Sequence, residues 1–229
     1  MNYLEIARID ALRNAQAKAV ALFAEIEARG LIRPGISESD LSQSIYELAY
    51  EMHGVKKHWH KRVIRAGRNT LAHYREDPPN LLIAEGDVVF LDLGPVFEEW
   101  EADFGRTFVL GPDPLKHKLL HDLESAFSRG KAYFEEHPDI TGSELYRYVQ
   151  SLAVERGWEY GGPHAGHLIG EFPHERIQGD KVTLYIHPEN RTRMRDLDTM
   201  GKERHWILEI HFIDRLREFG GFYEELLTV

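Results

Sequence analysis

Four acidic residues stand where acids are costly. Asp92 interrupts the apolar run Asp87-Val-Val-Phe-Leu-Asp-Leu-Gly94, and Asp103 sits in Glu101-Ala-Asp-Phe-Gly-Arg-Thr-Phe-Val-Leu110. Near the C-terminal end, Glu209 lies in Trp206-Ile-Leu-Glu-Ile-His-Phe212 and Glu224 in Phe222-Tyr-Glu-Glu-Leu-Leu-Thr-Val229. Each pair of runs reads as a hairpin. A turn centred between Phe97 and Glu98 puts Asp92 opposite Asp103; a turn centred between Leu216 and Arg217, in the loop Asp214 to Gly221, puts Glu209 opposite Glu224. Directly opposed residues have Cβ atoms roughly 4.5 to 5.5 Å apart, and two like charges so placed destabilise a sheet unless one is protonated or a cation lies between them. A solvent-facing place on a half-exposed strand would explain any one of these acids. Two facing pairs from two parts of the chain point instead to metal binding.

The rest of the composition is compatible with that chemistry. Thirteen histidines accompany 38 carboxylates, and oxygen with imidazole suits divalent metals. There is no cysteine, which excludes thiolate ligands, disulfides and cysteine nucleophiles. A net charge of -10 repels a phosphate backbone, and the one basic cluster, Lys56-Lys57 to Arg68, is diluted by apolar residues; nucleic acid is not expected as a partner. No apolar run approaches the roughly 20 residues that span a bilayer, and Met1-Asn2-Tyr3-Leu4-Glu5 has none of the features of a secretory signal. No membrane partner and a cytoplasmic location are the expectation.

The elements that must position these acids show a repeated plan. Residues 4 to 29 read as a helix, with Ile9, Leu12, Ala15, Ala19, Leu22, Phe23 and Ile26 at helical spacing and Gly30 as a stop. A second helix follows Pro34, with Ser37 as N-cap, Asp40 resembling a capping-box partner, and Leu41, Ile45, Leu48, Ala49 and Met52 as the buried stripe. Arg33-Pro-Gly-Ile-Ser-Glu-Ser-Asp-Leu41 then aligns with His137-Pro-Asp-Ile-Thr-Gly-Ser-Glu-Leu145, and an amphipathic segment from Pro114 to Glu136 precedes the second copy. Strand-like segments lie at 62 to 66, 87 to 94, 101 to 110, 181 to 187, 205 to 213 and 222 to 228. One α+β domain over 1–229 is expected, in two αα-then-β halves of about 1–112 and 113–229.

Gly166-His-Leu-Ile-Gly-Glu-Phe-Pro-His-Glu175 resembles the metal-histidine motif of the creatinase/aminopeptidase, or pita-bread, superfamily, which includes methionine aminopeptidases, Xaa-Pro aminopeptidases and prolidases. Arg33-Pro-Gly-Ile-Ser, Asn69-Thr-Leu-Ala-His-Tyr74, Gly86 to Gly94 and Ala102-Asp-Phe-Gly-Arg-Thr-Phe108 look like family segments in the family order, nearest to the Xaa-Pro group. The resemblance implies a pita-bread fold around a curved, mostly antiparallel sheet. It further implies two divalent ions, Mn first with Co, Fe or Zn as alternatives: Asp92 chelates one, Asp103 and Glu224 bridge both, and His167 with Glu209 completes the other. A metal-bridging hydroxide would then cleave a short peptide or small amide. By the same resemblance His73 and His174 stabilise the tetrahedral intermediate, Glu209 also shuttles a proton, and His164 and His211 are weaker substrate-binding candidates.

Several positions depart from the family pattern. Leu168 replaces a common glycine, Glu171 brings an acid into the motif, Ile210-His211-Phe212 follows Glu209 where Pro-Gly is usual, and Phe222 stands where Xaa-Pro aminopeptidases commonly have arginine. The N-terminal domain that full-length relatives usually carry is not expected here, and a homodimer stays open. Two alternatives to an Xaa-Pro peptidase also remain: a creatinase-like small-molecule C-N hydrolase, and a non-catalytic pita-bread module that binds peptide or protein.

Overall fold

The computed structural model describes residues 3–173 and 181–229. The chain opens with two helices, α1 (Tyr3–Ala28) and α2 (Glu38–His53), then β1 (Val63–Ala66), β2 (Val88–Leu93), the short strands β3 (Val96–Phe97) and β4 (Trp100–Glu101), and β5 (Phe104–Val109). A second helix pair follows, α3 (Pro114–Glu136) and α4 (Gly142–Arg156), and then β6 (Glu159–Tyr160), β7 (Leu168–Ile169), β8 (His205–Asp214) and β9 (Phe219–Leu226). No described helix is long and apolar enough to cross a membrane.

Local chemistry sets the helix limits. The Ser37 side chain accepts a hydrogen bond from the Asp40 amide at the start of α2. At the start of α4, Thr141 and Glu144 form a complete capping box. Gly54 and Gly157 end the two helices in the left-handed conformation, at φ 66° and 83°, which costs glycine little. The aligned sequence copies therefore fold alike. α1 buries the apolar stripe expected of it, down to Ile26.

The main sheet runs β1-β2-β5-β9-β8-β6, with β7 also pairing β8. Reading outward from the β5–β9 contact, each side presents one long strand and then a short one, and each is backed by its own helix pair. Val89, Leu91 and Leu93 of β2 pack with α1 and α2 in one core cluster. Leu208, Ile210 and Phe212 of β8 pack with α3 and α4 in another. Burial of each such side chain contributes roughly 1.5 to 3 kcal/mol. The alternate residues, Phe90 and Asp92 on β2 and Glu209 and His211 on β8, thus face away from the helices.

The two expected hairpins differ in outcome. In β8–β9, Glu209 pairs with Glu224 as expected, and the strands run on to Asp214 and Phe219, so the connection is shorter than the loop read from sequence. In β2–β5, Asp92 pairs with Gly105 and not with Asp103. The turn lies one residue later, between Phe97 and Trp100, where Glu98 takes φ 60°. Moving the turn by one residue moves the partner by two, so Asp103 keeps its face and becomes a diagonal neighbour of Asp92. The segment 181 to 187 is not a strand: it carries a 3-10 turn at Val182–Leu184, and Tyr185 bridges His167.

Candidate metal centre

One row crosses the middle of the sheet on the face opposite the helices: Asp92, Gly105, Glu224 and Glu209, each paired with the next across β2, β5, β9 and β8. Asp103 lies on the same face, two residues before Gly105. Gly105 leaves the centre of the row open, and a Cβ there would stand 2.6 Å from the Phe222 ring and 3.1 Å from Glu224 Cβ. The β5–β9 seam is held by Thr107, whose Oγ1 donates to the Phe222 carbonyl and accepts from its amide at 2.7 Å each, and by Arg106, which donates to the Glu224 carbonyl. Tyr160 fixes the other edge by donating its hydroxyl to the Glu209 carbonyl at 2.9 Å.

Two imidazoles meet these acids. His167 Nε2 lies 3.0 Å from Asp103 Oδ2 and 3.7 Å from Glu209 Oε1. His60 Nε2 lies 3.1 Å from Asp103 Oδ1 and 3.4 Å from Asp92 Oδ1. Each ring donates its Nδ1–H to the carbonyl of the next residue, His167 to Leu168 at 2.8 Å and His60 to Lys61 at 2.6 Å. The Trp59 ring stands edge-on to both, 4.4 Å from His60 and 5.0 Å from His167.

Burial dominates the electrostatics. It pushes Asp92 up to about 7, with only partial relief from His60, and Glu209 up to about 8. Glu224 is raised well above the carboxylate range by burial and by the neighbouring acids Asp103, Asp92 and Glu209. Asp103 is the exception: burial opposes its charge, but His60 and His167 hold it down at about 2. The same acids outweigh burial at both imidazoles and raise each to about 9. Glu224 Oε2 is buried with no hydrogen-bond partner. Four buried carboxylates, three of them resisting ionisation and one with an orphaned oxygen, are what a pair of divalent cations would satisfy. Among the described residues, two groups of ligand atoms lie close enough together to hold an ion, His60 with Asp92 and Asp103, and Asp103 with His167 and Glu224, and Asp103 belongs to both.

The acids floor a cavity of about 270 Å³. One wall is apolar, formed by Val63, Ala72, Phe90 and Phe222. Phe222, in place of arginine, lies against Phe90 with ring centroids 5.4 Å apart. His211 ends this wall; its Nε2 donates to the Thr70 carbonyl at 2.9 Å, and burial lowers its pKa to about 4, so the ring stays neutral. His164 and His73 border the opening. His164 Nδ1 is 3.5 Å from Glu209 Oε1, and burial drops its pKa to about 3. His73 is about a third exposed and accepts the Arg75 amide at Nδ1.

Eight of the nine expected site residues therefore line one cavity, and His174 lies outside the described residues. Glu171 is not among the lining residues: it is exposed, bridges Trp100, and borders a different groove. His60 was not anticipated. The sequence signal for it was Gly94, next to the acid-bearing strand, because a Cβ there would fall 2.2 Å from the His60 ring.

Residues 10–200 match metallopeptidase family M24. The chain belongs to that family. The Xaa-Pro dipeptidase of Pyrococcus horikoshii is 29% identical over 157 residues, which is 68% of this chain and 43% of that protein. The crystal structure of a prolidase from Thermococcus sibiricus matches 96% of this chain and 55% of its own, with a TM-score of 0.75 at 21% identity. A dipeptidase of Mycobacterium ulcerans matches at TM-score 0.77 and 20% identity, over 96% of this chain and 54% of its own. The fold is thus the α+β pita-bread fold of the family's creatinase/aminopeptidase superfamily, and this chain spans only about half the length of these relatives.

Proposed function

We propose that the protein is a dinuclear-metal-dependent peptidase that cleaves short peptides, with an Xaa-Pro aminopeptidase or dipeptidase as the leading specificity. The observation that carries the reading is the buried Asp103 carboxylate, which has an imidazole on each oxygen and Asp92, Glu209 and Glu224 around it at the base of a cavity. Asp92 would hold one ion, His167 and Glu209 the other, and Asp103 and Glu224 would bridge them. Four carboxylates balance the charge of two divalent cations, with Mn as the first candidate. Such ions supply a water activated near neutral pH and polarise the scissile carbonyl.

The chain's own side chains do the rest. Glu209 faces the cavity beside His164 and carries a proton from the attacking water to the leaving amine. His73 and His164, at the opening, donate hydrogen bonds to oxygen as charge develops on it. The Phe90 and Phe222 wall takes an apolar ring such as that of proline.

The test is turnover in Mn on Xaa-Pro dipeptides, longer Xaa-Pro peptides, non-prolyl dipeptides and small amides. Peptide cleavage that disappears with a chelator and in Glu224→Ala is expected. A chain that binds no divalent metal, or turnover unchanged in Glu224→Ala, would overturn the reading. Cleavage of small amides alone would redirect it to creatinase-like chemistry.

A further inference from the structure

We propose that His60 is a protein ligand of the ion held by Asp92, so that each of the two metal positions has its own imidazole. The inference rests on the dinuclear reading above and adds a residue from a segment outside every strand.

A metal-binding histidine is oriented by donating its second ring nitrogen to a fixed acceptor, which leaves the first nitrogen's lone pair aimed at the ion. His60 and His167 meet that condition alike, each through Nδ1 to the carbonyl of the following residue. Their Nε2 atoms then approach the two different oxygens of Asp103 at matched distances, 3.1 and 3.0 Å. His60 also reaches Asp92, as His167 reaches Glu209.

The His60 ring is held in place. Its side chain is 5% exposed, against 9% for His167. It occupies the space over Gly94, where no side chain stands between it and the sheet. Trp59 closes one side and donates its Nε1–H to the Ala102 carbonyl at 3.2 Å. Tyr74 closes another with its ring 5.7 Å away. An ion entering between Asp92 and Asp103 would meet a ring with no free space to withdraw into and a nitrogen already directed at both carboxylates. A nitrogen donor there favours Zn, Fe or Co over Mg or Ca at that position.

The experiment loads the full chain with Co(II) and counts the exchangeable imidazole N–H protons shifted by the paramagnetic ion in ¹H NMR, alongside calorimetric titration of wild type, His60→Gln and His60→Ala. Two shifted N–H signals are expected in wild type and one in either variant, with one of the two ions losing about tenfold or more in affinity, as removal of a ligand-shell group does. Wild type with two ions and a single shifted imidazole signal would overturn the role of His60 and leave the dinuclear reading intact. Wild type binding one ion or none would overturn both. The wild-type signal count decides the matter even if a variant fails to fold.

Discussion

Asp103 has an imidazole against each carboxylate oxygen, and this arrangement makes it the most consequential side chain of the site. Asp103→Asn keeps the shape but removes the charge that both rings share. In the metal-free protein the pKa values of His60 and His167, each about 9, are expected to fall by at least about one unit, since a buried imidazolium without its carboxylate partner is penalised. ¹H NMR titration of the imidazole Cε1–H signals reads this directly, and values that stay near 9 would assign the shifts to the other acids. In the metal-loaded protein the same variant should weaken binding of both ions by about 100-fold or more, by calorimetry. The four acids were legible in sequence because each interrupts an apolar strand, and His167 because it sits in a recognisable motif. His60 was not, because Lys57-His58-Trp59-His60-Lys61 is polar, has no strand or helix periodicity, and reads as a diluted basic cluster. Only the close approach of this segment to Gly94 in the folded chain gives the histidine its place.

At the level of elements, register decides which side chains can meet. The β8–β9 register followed from the sequence because its loop is flanked evenly by apolar runs, whereas the β2–β5 turn uses Glu98 in a left-handed conformation that no Asn-Gly or Asp-Gly pair signals. The error left the chemistry untouched, because a shift of two residues preserves the face. It hid what the glycines do. Asp92 faces Gly105, and Gly94 is the residue beside Asp103 at the other corner, so the two acids and the two open positions alternate. Gly105→Ala would drive a methyl group into the Phe222 ring and against Glu224 Cβ. The expected cost is about 1 to 3 kcal/mol in denaturant unfolding, the usual range for overpacking, together with weaker metal binding as Glu224 is displaced. Unchanged stability and affinity would show that Phe222 can yield, and that the open position is not needed to seat Glu224.

At the level of the whole molecule, the metal-free site is a proton store. Asp92 at about 7, Glu209 at about 8, Glu224 well above its ordinary value, and His60 and His167 at about 9 all hold protons in the folded state that the unfolded chain would release. Stability rises with pH only where the unfolded state binds more protons, so here it must fall as pH rises. Other groups act in the opposite sense at lower pH. His58 and His211, each near 4, and His164, near 3, are kept neutral by burial, and their contribution to stability is lost as pH drops below their ordinary value of 6.5. Asp103, at about 2, matters only below the ordinary carboxylate range. Above pH 6.5 the raised groups act without that opposition. The metal-free protein should therefore lose stability between pH 6.5 and about 9. Divalent ions take the place of the stored protons, so stabilisation by saturating Mn should grow over the same interval, and each ion bound should release protons. Thermal melts across this range with chelator or with Mn, and calorimetric titrations in buffers of different ionisation enthalpy, measure both effects. A metal-free melting temperature that is flat or rises above pH 6.5 would mean that Asp92, Glu209 and Glu224 ionise at no cost, and the electrostatic case for two cations would fail with it.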